Sequence, residues 1–149
     1  MDMQLRKVTM DDAHCLFDWV NSPSSLNNKK KTTSLIGWQD HVNWLQNRID
    51  HDSVVIFMLE LGGVAVGQTR VELKKAGLIV DIFIAEQCRG RGYAVKALTL
   101  LKEAVHHLWP NKRLVAEIKQ TNKSSIALFL KAGYQQVRLE SGFCILENK

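Results

Sequence analysis

The stretch Gln87-Cys88-Arg89-Gly90-Arg91-Gly92-Tyr93-Ala94 constrains this chain more than any other, because it separates an apolar run from an amphipathic one within a few residues. Residues 78–84 are almost continuously apolar, which predicts a central strand covered on both faces, with Asp81 as its sole charged interruption. Beyond the stretch, Ala94, Leu98, Leu101, Val105 and Leu108 recur at helical spacing over 92–108, and Pro110 marks the stop. The first amides of a helix have no acceptors inside it, and the helix dipole adds partial positive charge at that end. Gly90 and Gly92 let the backbone turn and come close to a ligand, and Ala94 keeps the first helical turn slim. Arg89, Arg91 and Lys96 add charged donors, so the chemistry favoured at this junction is a bound phosphate.

Two other phosphate loops fit less well. The nucleoside-triphosphate loop places Lys and then Ser or Thr after a glycine, and neither Gly90 nor Gly92 is so followed, which disfavours ATP or GTP hydrolysis. The dinucleotide fingerprint keeps Gly90 and Gly92, but Val95 stands at its third glycine, and Glu117 comes later than the usual acidic ribose ligand. The remaining alternative is a strand-helix turn with exposed arginines and no ligand.

The rest of the chain reads as an α/β alternation. Residues 4–8 suit a short strand, and Thr9 with Asp12 resembles a capping box before a helix carrying Ala13, Leu16, Phe17 and Val20 on one face. A second helix over 37–50 has Trp38, Val42, Leu45 and Ile49 at helical spacing, flanked by His41 and Trp44. Residues 54–61 and 64–73 flank Gly62-Gly63 as a hairpin, and 74–77 supply another turn. A strand over 113–118 should run parallel to 78–84, because a helix separates them. A helix over 122–132, with Ile126, Phe129 and Leu130 on one face and Gly133 at its end, leads to antiparallel strands over 134–139 and 143–146. The expectation is one α/β domain, 1–149, built on a mixed sheet with helices on both faces. The polar stretch 21–33, with Lys29, Lys30 and Lys31, reads either as a solvated loop or as a rim that attracts a phosphorylated substrate.

Composition narrows the function classes. With 149 residues, 46% hydrophobic and 23% charged, the chain can bury a core without disulfides or metal. No apolar run approaches the roughly 18 residues that span a bilayer, and the start lacks a signal peptide's hydrophobic stretch, so the expectation is a cytoplasmic protein with no membrane partner. Cys15, Cys88 and Cys144 are odd in number and never form CxxC, which leaves no basis for a disulfide framework or a zinc site; no metal is expected. A formal charge of +5 favours an anionic partner, whether a nucleotide, a nucleic acid or a nucleotide-linked substrate. The basic residues are dispersed and form no evident recognition helix, which argues against nucleic acid.

Gln87-x-x-Gly90-x-Gly92 after an apolar strand is similar to the coenzyme loop of the GNAT N-acetyltransferase family. Asn122-Lys-Ser-Ser125-Ile-Ala-Leu-Phe129-Leu-Lys131-Ala-Gly133-Tyr134 resembles that family's later helix, and the resemblance covers essentially the whole chain. It implies a mostly antiparallel mixed sheet with a splayed parallel pair, and acetyl-coenzyme A as co-substrate. It implies that Gln87 to Ala94, namely Gln87, Cys88, Arg89, Gly90, Arg91, Gly92, Tyr93 and Ala94, wrap the pyrophosphate. The pantetheine arm would pair with the strand backbone at Ile82 and Ile84, and the Ile82 amide would donate to the thioester oxygen as charge develops on it. Asn122 and Ser125 would meet the pantetheine or phosphate region, with Phe129 and Lys131 near the arm and the adenosine end; Phe129 reads equally as a core residue. Many relatives carry a tyrosine where Phe129 stands, to protonate the departing thiolate. Phenylalanine cannot do so, which leaves the protonating group unassigned.

Candidates for accepting the amine's proton are Asp81, Glu72 and His41. Asp81 comes first, because a carboxylate in an apolar strand needs either a function or a cation such as Arg70. The segments around Asp11-Asp12-Ala13, Phe17-Asp18-Trp19, Trp38-Gln39-Asp40-His41 and Gln68-Thr69-Arg70 resemble the branch that acetylates nucleotide-linked amino-deoxy sugars, including those leading to pseudaminic or legionaminic acid. The resemblance implies an acceptor site of Trp19, Asn21, His41, Trp44, Gln68 and Arg70. Core packing is the alternative for Trp19, Trp38 and Trp44. Direct transfer to a sugar amine leads; acetylation of protein N-termini or lysines, and a non-catalytic acetyl-coenzyme A-binding module, are the rivals. Monomer and homodimer both stay open.

Overall fold

Alternation along β2 (Val54–Leu61) lets one strand serve two cores, with Val54, Ile56 and Met58 on one face and Phe57 and Leu59 on the other. The computed structural model describes residues 2–22 and 35–149, so the Lys29–Lys31 run lies outside the described residues. The remaining strands are β1 (Met3–Lys7), β3 (Val64–Lys74), β4 (Gly77–Ile84), β5 (Leu114–Lys119), β6 (Gln135–Glu140) and β7 (Phe143–Asn148). They form a seven-stranded sheet in the order β1-β2-β3-β4-β5-β7-β6, in which β4–β5 is the parallel pair and the other pairs are antiparallel. The helices are α1 (Ala13–Val20), α2 (Trp38–Ile49), α3 (Tyr93–Leu108) and α4 (Lys123–Lys131).

Helices cover both faces, as the alternation requires. Leu98, Leu101 and Val105 of α3 and Phe129 of α4 pack with Val71, Leu78, Val80 and Leu114 from one side of the sheet. Leu16 of α1 and Leu45 of α2 meet Val54, Ile56 and Met58 from the other. The capping box is present: Asp12 accepts from the Thr9 amide at 2.9 Å and Thr9 accepts from Asp11, though it caps a 3-10 turn (Met10–Asp12) ahead of α1. Burial alone would raise the Asp12 pKa, yet the forked Arg6 hydrogen bonds at 2.9 and 3.0 Å and the Thr9 amide outweigh it and hold the carboxyl below its ordinary range.

The buried stripe of α2 is rotated from the expected one. His41 and Leu45 are its buried residues, whereas Trp38 is 38% exposed and stacks on His14 with ring centroids 4.3 Å apart. The reason is polar: His41 Nε2 lies 3.1 Å from the Ala13 carbonyl, so a ring with a partner takes the inward position. The expectation that β4 is covered on both faces holds only for its first half. Leu78 and Val80 are buried, Ile82 and Ile84 are half-buried, and Asp81 is exposed.

That change of burial coincides with a change of pairing. The β4–β5 ladder contains Leu78↔Leu114 and Ile79↔Val115 and ends there, while β4 runs on to Ile84. The two parallel strands therefore separate over their last halves, leaving a wedge.

Candidate active site

The loop between β4 and α3 is built from backbone. Gly90 and Gly92 have φ of 77° and 79°, a left-handed conformation that side-chain-bearing residues resist, and a Cβ at either would meet nothing within 4 Å. Gly92 is the N-cap of α3 and offers no side chain to its amides; the helix's internal bonding starts with Lys96 N to Gly92 O at 3.3 Å. The amides of Tyr93, Ala94 and Val95 thus face outward at the positive end of a 16-residue helix. They border a cleft of about 200 Å³ lined by Ile84, Cys88, Arg89, Gly90, Gly92, Tyr93, Ala94, Val95 and Leu128. Open space above two glycines and three outward amides fits a diphosphate. Gln87 and Arg91 are exposed beside it.

The strand edge continues the cleft into the wedge. Leu78 N donates to Arg113 O on the β5 side and Ala85 N donates to Val66 O on the β3 side. Backbone direction alternates along a strand, so Ile82 and Ile84 turn their amides and carbonyls toward β5, beyond the last paired rung. Arg89 Nε donates to the Ile84 carbonyl at 2.9 Å, which agrees with that direction.

The opposite face of β3 and β4 carries side chains that converge from four segments. Arg70 lies directly across from Asp81, and their charged groups are 3.3 Å apart. The Asp81 side chain is 58% exposed, so the expectation of a buried carboxylate is wrong; its charge is met by Arg70 on the neighbouring strand. The buried Thr69 hydroxyl donates to the Asp81 carbonyl at 2.9 Å and fixes its backbone. The Arg70 guanidinium sits 5.6 Å from the Trp44 ring centre, and Trp19 meets Phe83 at 5.5 Å. Gln68 is half-buried across from Phe83. Gly67 permits this closeness, since a Cβ there would run into the Phe83 carbonyl.

Several expected site residues are engaged elsewhere. His41 is 2% exposed, packed near Phe17 and Trp44, and spans α2 to α1, which removes it from an open acceptor face. Glu72 is paired with Arg48 at 3.4 Å. Asn21 donates to the Ile36 carbonyl at 3.0 Å and accepts from the Ile36 amide at 2.7 Å, so its amide is tied to the Ile36 backbone. Phe129 is 3% exposed and meets Tyr134 edge-on at 4.9 Å; it is a core residue and is not among those lining the cleft at the α3 mouth. Asn122 Oδ1 caps α4 by accepting from the Ser125 amide at 3.2 Å, and Lys131 is exposed in the last turn. The cleft touches α4 at Leu128, which helical spacing did not single out, as it did not single out Val95 or Phe83. Among the described residues, no group of three His, Cys, Asp or Glu is placed to hold a metal, and no helix is long and apolar enough to cross a membrane.

A wedge between parallel strands that opens at an anion-ready helix mouth suits an extended ligand that carries phosphate at one end. The profile of the acetyltransferase (GNAT) domain matches residues 2–135, and the chain belongs to that family as an acetyl-coenzyme A-dependent N-acetyltransferase. It is similar to the aminoglycoside acetyltransferase AAC(6')-Ib in complex with coenzyme A and kanamycin, with a TM-score of 0.83 and 17% identity over 99% of this chain and 94% of that one. The spermidine N-acetyltransferase of Vibrio cholerae, in complex with coenzyme A and spermine, gives 0.84 and 11% over 97% and 92%. The GNAT domain of S. lividans PAT gives 0.80 and 25% over 98% and 89%. The first two likenesses establish the fold. A search of the curated proteins found no significant match.

Proposed function

We propose that this domain, 1–149, acetylates the primary amine of a nucleotide-linked amino-deoxy sugar by direct attack, with coenzyme and acceptor bound together. The observation that carries this reading is the acceptor-side face, where two aromatic platforms, Trp19–Phe83 and Trp44, flank the Arg70–Asp81 pair. A flat base or sugar face stacks on such rings, and a guanidinium suits a diphosphate.

The bound coenzyme supplies an acetyl thioester. The α3 amides hold its diphosphate, and the Ile84 and Ile82 backbone aligns its arm along the wedge. The Ile82 amide donates to the oxygen on which negative charge develops. Asp81, the preceding residue, projects to the acceptor side and takes the amine's proton directly or through one water, while Arg70 holds the carboxylate in place. Cys88 packs half-buried beside Leu59, Val66 and Ala97, a position suited to packing and not to nucleophilic attack.

A thiol-release assay across UDP-amino sugars, polyamines and peptides, with mass spectrometry of products, tests the acceptor. Acetylation confined to peptides would replace the sugar reading with protein acetylation. Cys88→Ala should retain turnover; its loss with coenzyme binding intact would require a covalent acyl-enzyme.

A further inference from the structure

Arg89 stands where the coenzyme side meets the acceptor side. Its Nε holds the Ile84 carbonyl at 2.9 Å, and its guanidinium lies 5.3 Å from the centre of the Phe83 ring. The Ile84 carbonyl lies on the edge where the proposed coenzyme placement runs the pantetheine arm, so Arg89 occupies an acceptor that an amide of the arm needs. Arg89 also lines the cleft at the mouth of α3. Phe83 in turn touches Trp19 on the acceptor face, with ring centroids 5.5 Å apart.

We infer that Arg89 is a positioning residue with two alternative seats, one on the Ile84 carbonyl and Phe83 ring, the other on the coenzyme's diphosphate. A charged acceptor binds a guanidinium more strongly than a neutral carbonyl does, so the diphosphate draws Arg89 across. Its departure clears the Ile84 carbonyl for the arm and uncovers one face of Phe83 for the acceptor. A pantetheine without phosphates meets an occupied carbonyl, and an amine arriving first meets a covered platform.

The test compares coenzyme A with its two parts by calorimetry on the full chain: adenosine 3'-phosphate 5'-diphosphate, which carries the phosphates without the arm, and pantetheine, which carries the arm without phosphates. Arg89→Ala should weaken the diphosphate probe and coenzyme A alike, each about tenfold, because the diphosphate draws Arg89 off Ile84 in both, and should strengthen pantetheine about threefold, because Ile84 is then open to the arm. Arg89→Lys keeps the charge and should bring the probe back toward wild type. Pantetheine affinity left unchanged by Arg89→Ala would make Arg89 an ordinary phosphate contact and overturn the two seats. Failure of wild type to bind coenzyme A or the diphosphate probe would overturn the coenzyme placement itself. The probe alone should also change tryptophan fluorescence in wild type but not in Arg89→Ala or Trp19→Phe; an unchanged signal in wild type would break the link to the acceptor side.

Discussion

The coenzyme side and the acceptor side of β4 are made of different material. On the first, as proposed, outward amides at one helix mouth and the turned-out backbone of one strand provide most of the contacts, with the Arg89 guanidinium beside them, and all of these come from residues 82–95. On the second, Trp19, Trp44, Arg70, Asp81 and Phe83 arrive from α1, α2, β3 and β4 and act through side chains. Backbone chemistry tolerates changes of side chain as long as the conformation survives. Side-chain chemistry is reset by single substitutions, so acceptor choice is the quantity that this architecture leaves adjustable.

The largest expected effect strikes the backbone side. Gly92 has φ of 79° and a Cβ would point into open space, so Gly92→Val strains the loop without a clash inside the protein. The strained backbone costs roughly 1–2 kcal/mol, and the new side chain stands where the ligand should sit. Coenzyme affinity should fall about a hundredfold by calorimetry, combining the lost amide geometry with steric exclusion. The acceptor's KM at saturating coenzyme should hold. A variant that binds coenzyme as wild type does would remove the diphosphate from this helix mouth.

A smaller effect is expected on the side-chain half. Asp81→Asn keeps size and hydrogen bonding to Arg70 but cannot take a proton, and kcat should fall about thirtyfold, below the usual contribution of a general base because an exposed site admits water as a substitute. Coenzyme affinity should not move. If Arg70→Gln and Asp81→Asn both act on the acceptor's KM and leave kcat alone, the pair binds substrate and the base lies elsewhere.

The same contrast explains what was legible in the sequence. Gly90, Gly92 and the apolar run before them lie within one short stretch, and the local rules of helix ends suffice to read them as a cradle. The splay of β4 from β5 followed from the family resemblance alone, since nothing in the residues 80–84 marks where a ladder stops. Side chains brought together by the fold were not legible. The Asp81–Arg70 pairing was open as an alternative, but its exposure depends on how helices distant in sequence pack over that face, which no local pattern in residues 78–84 records. His41 looked like a candidate base because no spacing rule reveals the Ala13 carbonyl waiting 28 residues away. Asn21 likewise is bonded to the backbone of Ile36, 15 residues on.

The smallest expected effect bears hardest on the comparison. Among the described residues, the Tyr134 hydroxyl is the buried side-chain polar atom without a hydrogen-bond partner, and burial pushes its pKa well above the ordinary phenol range, so it stays protonated. A buried hydroxyl that bonds to nothing is a cost, and Tyr134→Phe removes it while keeping the ring against Phe129. The variant should be more stable by about 0.5–1 kcal/mol in chemical denaturation. If the phenol is only core, kcat stays at wild type and no core side chain joins the backbone and Arg89 on the coenzyme side. If kcat falls by about fivefold or more while stability rises, the phenol donates to a reacting atom. Phe129 leaves the protonation of the thiolate without an owner, and Tyr134 would then be that owner. The clean division between a backbone side and a side-chain side would fail at the point where the thiol departs.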